Sequence, residues 1–62
     1  MLAEQRRSVI LETLSEQGAV SVAELYRKLG VSRETIRRDI SRLDQESRLR
    51  KTHGGAMSLG RE

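Results

Sequence analysis

The chain has 62 residues, a 35% apolar fraction, one aromatic residue (Tyr26) and no cysteine, which excludes disulfides, thiolate-bound metals and a deep substrate cavity. The net charge is +3, but residues 1–26 carry two basic against four acidic side chains, whereas residues 27–62 carry ten against five. This basic C-terminal portion favours a polyanionic partner or, alternatively, forms a solvated charged surface.

The first predicted helix spans residues 4–17. Ile10 and Leu14 lie four residues apart with Leu11 beside them, which is the spacing of one helix face. Gly18 follows at the position where a glycine commonly ends a helix. Residues 19–21 are then predicted to form a short extended link, which can be one small strand.

The second predicted helix spans residues 22–29 and ends at Gly30. Ser21 and Glu24, three residues apart, predict a capping box in which each side chain bonds the other's backbone amide. The apolar stripe of this helix is formed by Val22, Leu25 and Leu29.

The third predicted helix spans residues 32–46, with Ser32 as a candidate cap. Its apolar residues follow the i, i+4, i+7 spacing of a face turned to the core, and they are Ile36, Ile40 and Leu43. Because only Gly30-Val31-Ser32 separates the second helix from the third, the pair is predicted to form a helix-turn-helix.

The outer face of the third helix carries arginines and short hydroxyl side chains, which are suited to phosphates and base edges in a major groove. The predicted DNA contacts here are Ser32, Arg33, Thr35, Arg37, Arg38, Ser41 and Arg42. Arg33 and Arg38, in the first half of the helix, are predicted to contact bases.

Arg37 and Arg42 are predicted to contact phosphates. Each of the four arginines can instead be solvated and paired with Glu34 or Asp39. Glu34 either accepts a hydrogen bond from a cytosine amine or favours the helix N-terminus through the dipole.

Residues 49–59 are predicted to form a hairpin wing with Gly54-Gly55 in a primed turn. Arg50 and Lys51 would bring positive charge to the DNA backbone or into a minor groove. His53 has no second histidine or cysteine as a co-ligand, so it is a phosphate contact or a plain turn residue and not a metal ligand. Residues 1–59 are thus predicted to be mainly α with a small β-hairpin, a three-helix winged helix-turn-helix.

The segment Val31-Ser32-Arg33-Glu34-Thr35-Ile36-Arg37-Arg38-Asp39, with Leu43 and Arg50-Lys51-Thr52-His53-Gly54-Gly55-Ala56, resembles the DeoR family of bacterial transcriptional regulators. The resemblance runs from about Arg6 to Ala56. It implies the N-terminal DNA-binding domain of a longer, homo-oligomeric regulator, typically a repressor of a sugar or related catabolic operon. It also implies that a further C-terminal domain binds a phosphorylated metabolite, that this chain is a fragment, and that residues 60–62 begin a linker.

Two residues depart from the family pattern. Ser47 stands where a glycine commonly ends the recognition helix, and this bears on the angle of the wing. Tyr26 stands where a small residue usually lets the second and third helices approach. We expect the tyrosine ring to lie over the helix edge with its hydroxyl in water.

The predicted partner is double-stranded DNA, with the third helix in the major groove and the wing, Arg6 and Arg7 on the backbone. A protein-interaction module would instead expose an apolar patch on the third helix or the wing. An RNA-binding module would offer more aromatic side chains. An enzyme is disfavoured because His53 lacks an obvious orienting carboxylate, and no cofactor is expected. No apolar run approaches the roughly 20 residues of a membrane span, so we expect a soluble protein. The absence of cysteine fits a reducing cytoplasm, so we expect the protein there.

Overall fold

In the computed structural model, which describes residues 1–59, three helices and three short strands form one unit. The elements in chain order are α1 (Ala3–Gln17), β1 (Ala19–Ser21), α2 (Val22–Leu29), α3 (Arg33–Gln45), β2 (Arg50–Thr52) and β3 (Gly55–Met57). The prediction of a mainly α winged helix-turn-helix is confirmed, as is the small strand after α1. The linker predicted for residues 60–62 lies outside the described residues.

The link from α1 to α2 follows local backbone preferences. Gly18 takes the left-handed conformation at φ 84°, and its N–H donates to the carbonyl oxygen of Leu14 at 2.7 Å. The Ser21 hydroxyl accepts from the Glu24 N–H at 3.0 Å, which is one half of the predicted capping box. The Glu24 carboxylate accepts instead from Nε2 of Gln17 at 3.1 Å, so the prediction of a reciprocal box is wrong.

Helix α3 is one residue shorter at each end than the predicted 32–46, because Ser32 and Glu46 are its caps. At its C-terminus the N–H of Ser47 donates to the Asp44 carbonyl at 3.0 Å, and the N–H of Arg48 donates to the Leu43 carbonyl at 2.9 Å. This is a Schellman ending, in which the residue after the cap is left-handed. Ser47 adopts this left-handed conformation at φ 60°, so the helix ends in the same way as it would with a glycine at this position.

The three strands form an antiparallel sheet in the order β1-β3-β2, in which Val20 and Lys51 both lie opposite Ala56. Thr52 pairs with Gly55, so the tip of the wing (the β2–β3 hairpin) is His53-Gly54, and the predicted Gly54-Gly55 turn is wrong by one residue. Of the two tip residues only Gly54 has a positive φ, at 86°, whereas a primed turn would also need a positive φ at His53.

Gly55 is needed for a different reason. A Cβ atom at Gly55 would overlap the carbonyl oxygen of Val20 on the neighbouring strand. Gly55 therefore permits the close approach of β1 and β3, whereas Gly54 permits the turn.

A single apolar core joins the helices to the sheet. Its ten buried residues are Ile10, Leu14, Val20, Val22, Leu25, Ile36, Ile40, Leu43, Leu49 and Ala56. The predicted apolar stripes are confirmed, with Leu11 and Leu29 only partly buried. Leu49, predicted to begin the wing, lies in the core just before β2. Within residues 1–59, no helix is long and apolar enough to cross a bilayer.

Candidate nucleic-acid interface

The core fixes the inner face of α3 and leaves its arginines exposed. The exposed basic residues of this helix are Arg33, Arg37, Arg38 and Arg42. Thr35 and Ser41 are half-buried on the flanks. The large apolar side chains that are exposed lie elsewhere, so α3 offers a polar, basic face with no apolar patch.

Two of these arginines form ion pairs along the helix. Nη2 of Arg38 lies 3.4 Å from Oε2 of Glu34, with the two side chains 77% and 76% exposed. Nε of Arg42 lies 3.2 Å from Oε2 of Glu46. Exposed ion pairs at this i, i+4 spacing contribute only about 0.3–0.5 kcal/mol to stability. Either arginine can therefore leave its glutamate and bind a phosphate or a base.

The N-terminus of α3 is closed by a hydroxyl pair. Oγ of Ser32 accepts from the Thr35 N–H at 3.1 Å, and the same hydroxyl lies 2.9 Å from Oγ1 of Thr35, to which it donates. Ser32 is exposed and Thr35 half-buried. These hydroxyls lie beside the first-turn amides, a position that favours an anion.

Arg33 is directed towards α2. The central carbon of its guanidinium lies 4.3 Å from the centroid of the Tyr26 ring. Tyr26 is 41% exposed, so its ring lies at the surface and is not enclosed between α2 and α3, as expected from the sequence. The large residue at a usually small position is therefore accommodated outside the helix crossing.

Arg6 and Arg7, predicted to hold the DNA backbone, turn inwards to Asp39. Nε and Nη2 of Arg6 contact the two carboxylate oxygens at 2.6 and 3.2 Å, and Nη1 of Arg7 lies 3.7 Å away. The arginine side chains are 15% and 18% exposed and the Asp39 side chain 6%. The hydrogen bond to Asp39 raises the pKa of Arg6 above its usual value, and desolvation opposes that rise. Both arginines thus join α1 to α3 in the described structure.

Sequence reasoning missed this role of Asp39, although one signal was available. Asp39 lies three residues after Ile36 and directly before Ile40, on the edge of the buried stripe of α3. A carboxylate in that position needs a buried cation as its partner, and the basic pair on α1 supplies it.

Hydrogen bonds fix the wing against α3. Oδ1 of Asp44 accepts from the backbone N–H of Lys51 at 3.1 Å, and Nζ of Lys51 donates to Oγ of Ser41 at 3.2 Å. Arg50 is exposed on the same strand, and His53 is exposed at the tip. Asp44, which the sequence did not single out, thereby sets the position of the basic strand.

A groove of about 380 Å³ runs between α3 and the wing. Its polar lining comes from both sides, with Arg37 and Ser41 on the helix and Lys51 and His53 on the wing. Within the described part of the chain, no group of three or more His, Cys, Asp or Glu side chains is placed to hold a metal ion. The groove thus combines the positive charge of Arg37 and Lys51 with the apolar side chains of Val22 and Ile40, and its charged groups suit an anionic strand.

Comparison with known proteins identifies relatives of the whole domain. A family model described as the DeoR-like helix-turn-helix domain matches residues 6–62. The chain is 44% identical over 61 residues to the uncharacterized HTH-type transcriptional regulator YgbI of Escherichia coli (strain K12). It is 39% identical over 59 residues to the uncharacterized HTH-type transcriptional regulator YulB of Bacillus subtilis (strain 168) and to the HTH-type transcriptional regulator UlaR of Escherichia coli.

These matches cover 98% of this chain for YgbI and 95% for YulB and UlaR. They cover 24%, 23% and 24% of the three relatives, so the chain spans about a quarter of the length of the curated relatives it matches. No solved structure matches the chain.

Proposed function

This chain belongs to the DeoR-like helix-turn-helix family of transcriptional regulators, and we propose that it binds a specific double-stranded DNA sequence by placing α3 in the major groove. The observation that carries the proposal is the exposed basic face of α3. Its four arginines lie on a helix whose opposite face is held by the core and by the pair of Arg6 with Asp39.

The contacts divide by position on the helix. Arg38, on the outermost part of α3, is assigned to a base edge, where arginine can donate two hydrogen bonds to a guanine. Arg37 and Arg42, on the flanks, are assigned to phosphates, together with the Ser32 hydroxyl. Thr35 and Ser41 are short enough to assist either kind of contact.

The groove between α3 and the wing is assigned to one strand of the DNA backbone. Lys51 and Arg50 supply positive charge from the wing, and His53 can donate to a phosphate from its tip. Asp44 favours this arrangement because it holds the Lys51 backbone while leaving the side chain at the groove. Arg6 and Arg7 are left out of the proposed contacts, since Asp39 occupies them.

The role of the whole regulator is proposed from the resemblance. We propose that the domain works within a homo-oligomeric repressor of a sugar or related catabolic operon. Release of DNA would then depend on a phosphorylated metabolite bound by a further domain. An isolated domain would bind one half of a two-fold DNA site weakly, because it lacks the increase in affinity that comes from linking two DNA-binding domains.

The proposal is tested by fluorescence anisotropy of the purified domain on a mixed-sequence duplex at about 50 and 200 mM salt. With about five phosphate contacts, affinity should fall by roughly 10²–10³ between the two concentrations. Random-site selection would then identify the preferred sequence. A domain that is helical by circular dichroism but does not bind at low salt would contradict the proposal.

A further inference from the structure

The contact between Tyr26 and Arg33 joins the two helices of the helix-turn-helix. Tyr26 is on α2, and Arg33 is the first residue of α3. The 4.3 Å between the guanidinium carbon and the ring centroid is well within the roughly 6 Å over which a cation is attracted to an aromatic face. The ring therefore draws the charge of Arg33 towards α2.

Arg33 has no competing ionic partner in the described structure. Among residues 1–59, no carboxylate lies within 4 Å of its guanidinium nitrogens, and the adjacent Glu34 pairs with Arg38. The ring attracts the charge of the guanidinium, so this contact uses none of the Arg33 N–H groups in a hydrogen bond to a carboxylate. Those N–H groups form the planar fork that matches a phosphate.

The direction of the Arg33 side chain matters for what it can touch. When a helix-turn-helix docks, α3 enters the major groove and α2 crosses the sugar-phosphate backbone. A side chain drawn towards α2 is therefore carried towards the backbone and away from the base edges. Its position in the first half of α3, taken alone, had favoured a base contact.

We infer that Tyr26 is a positioning residue that commits Arg33 to a DNA phosphate and removes it from base recognition. The inference rests on the proposed function, and it concerns a tyrosine at a position where the family usually has a small residue. The tyrosine hydroxyl is not required, because the ring face provides the attraction. Sequence preference at the start of α3 is then left to Arg38 and its neighbours.

The test compares Y26F, Y26L, R33Q and the double variant Y26L/R33Q on the selected site, on single-base variants of it and on a mixed-sequence duplex. Y26F keeps the ring and should bind like the parent. Y26L should weaken binding to all duplexes by about two- to fivefold, the range expected for losing one exposed cation–π contact. R33Q should weaken all duplexes alike and lower the salt slope by about 0.9.

The double variant measures whether the two residues act together. Since Tyr26 works through Arg33, Y26L should add nothing once Arg33 is replaced, so the double variant should match R33Q. Thermal unfolding of every variant checks the fold, and Y26L should melt near the parent because the ring is half exposed. If Y26L does not fold, Y26A takes its place, since a small residue usually stands at this position in the family, and R33K tests the phosphate contact with α2 untouched. It should keep the salt slope and the site preference while binding more weakly than the parent.

Three outcomes would overturn the inference. The first is a change in base preference caused by R33Q or R33K, which would make Arg33 a base contact. The second is additive losses in the double variant, and the third is a loss in Y26F equal to that in Y26L. If the parent domain is folded but binds no duplex, the proposed function itself fails, and this result is distinct from the other three.

Discussion

Arg6 on α1 and Asp39 on α3 are joined by two hydrogen bonds, from Nε and Nη2 of the arginine to the two carboxylate oxygens. Apolar packing in the core has no fixed direction, so this two-point pair adds a directional contact that helps to hold the angle between α1 and α3. Because the hydrogen bond to Asp39 raises the pKa of Arg6 above its usual, already strongly alkaline value, the stability that Arg6 contributes is fully present below that usual value. It is lost only as the pH rises through the raised value, so Arg6 gives no pH dependence near neutrality.

Replacing Asp39 with asparagine should destabilise the domain by about 1–3 kcal/mol. The buried carboxylate becomes a neutral amide, and the positive charges of Arg6 and Arg7 are left without a negative partner. DNA affinity should fall as well, because the angle of α3 is no longer fixed. Urea unfolding followed by circular dichroism measures the first effect. Glu12→Gln, an exposed change of equal charge on α1, is the control and should stay within about 0.5 kcal/mol of the parent. Equal stabilities of the two variants would contradict the role of Asp39.

Replacing Ser47 with glycine should stabilise the domain by about 1 kcal/mol, because a left-handed residue at φ 60° is strained by its Cβ. For a domain of this size the melting temperature should rise by roughly 4–8 °C. Ser47→Ala keeps the Cβ and should give no such gain. A glycine variant that melts no higher than the alanine variant would show that Ser47 is not strained.

The two glycines of the wing should respond differently to alanine. Gly55→Ala places a Cβ against the carbonyl oxygen of Val20, so β1 and β3 must separate, at a cost of about 3 kcal/mol. Gly54→Ala meets open space and costs only the strain of φ 86°, roughly 1 kcal/mol. Thermal unfolding ranks the two variants. The reverse order would mean that the turn, and not the strand contact, limits the wing.

Arg37 and Arg38 should differ in how their loss affects DNA binding. Arg38→Ala should cost about 1–3 kcal/mol on the selected site and relax preference at one base pair. Arg37→Ala should weaken all duplexes alike and lower the salt slope by about 0.9. Arg48→Ala is the matched control, since its guanidinium lies 3.8 Å from Glu46 at the other end of α3. If R37A and R38A both bind like R48A, the proposed docking is wrong.

The helices were predictable because their signals are local. The i, i+4, i+7 spacing of Ile36, Ile40 and Leu43 fixes the buried face of α3. Gly18 and Gly30 mark helix ends through their backbone freedom alone. None of these inferences needs knowledge of a distant residue.

What the sequence did not predict depends on partners far along the chain. Gly54-Gly55 admits more than one turn register, and the choice is made by the pairing of Gly55 with β1. The inward direction of Arg6 depends on Asp39, 33 residues away, and a basic residue looks the same in sequence whether it meets DNA or a buried carboxylate. The left-handed conformation of Ser47, just beyond the cap of α3, goes with the Schellman hydrogen bonds and with the burial of Leu49.

The strand order β1-β3-β2 has a consequence for the time course of folding. The contact of β2 with β3 closes a two-residue loop, whereas the contact of β1 with β3 joins Val20 to Ala56, which lie 36 positions apart. Closing the longer loop costs more chain entropy, and a two-stranded hairpin is only marginally stable on its own. The hairpin should therefore become ordered late, once the helices have brought β1 into place, and amide exchange in β3 should report the opening of the whole domain.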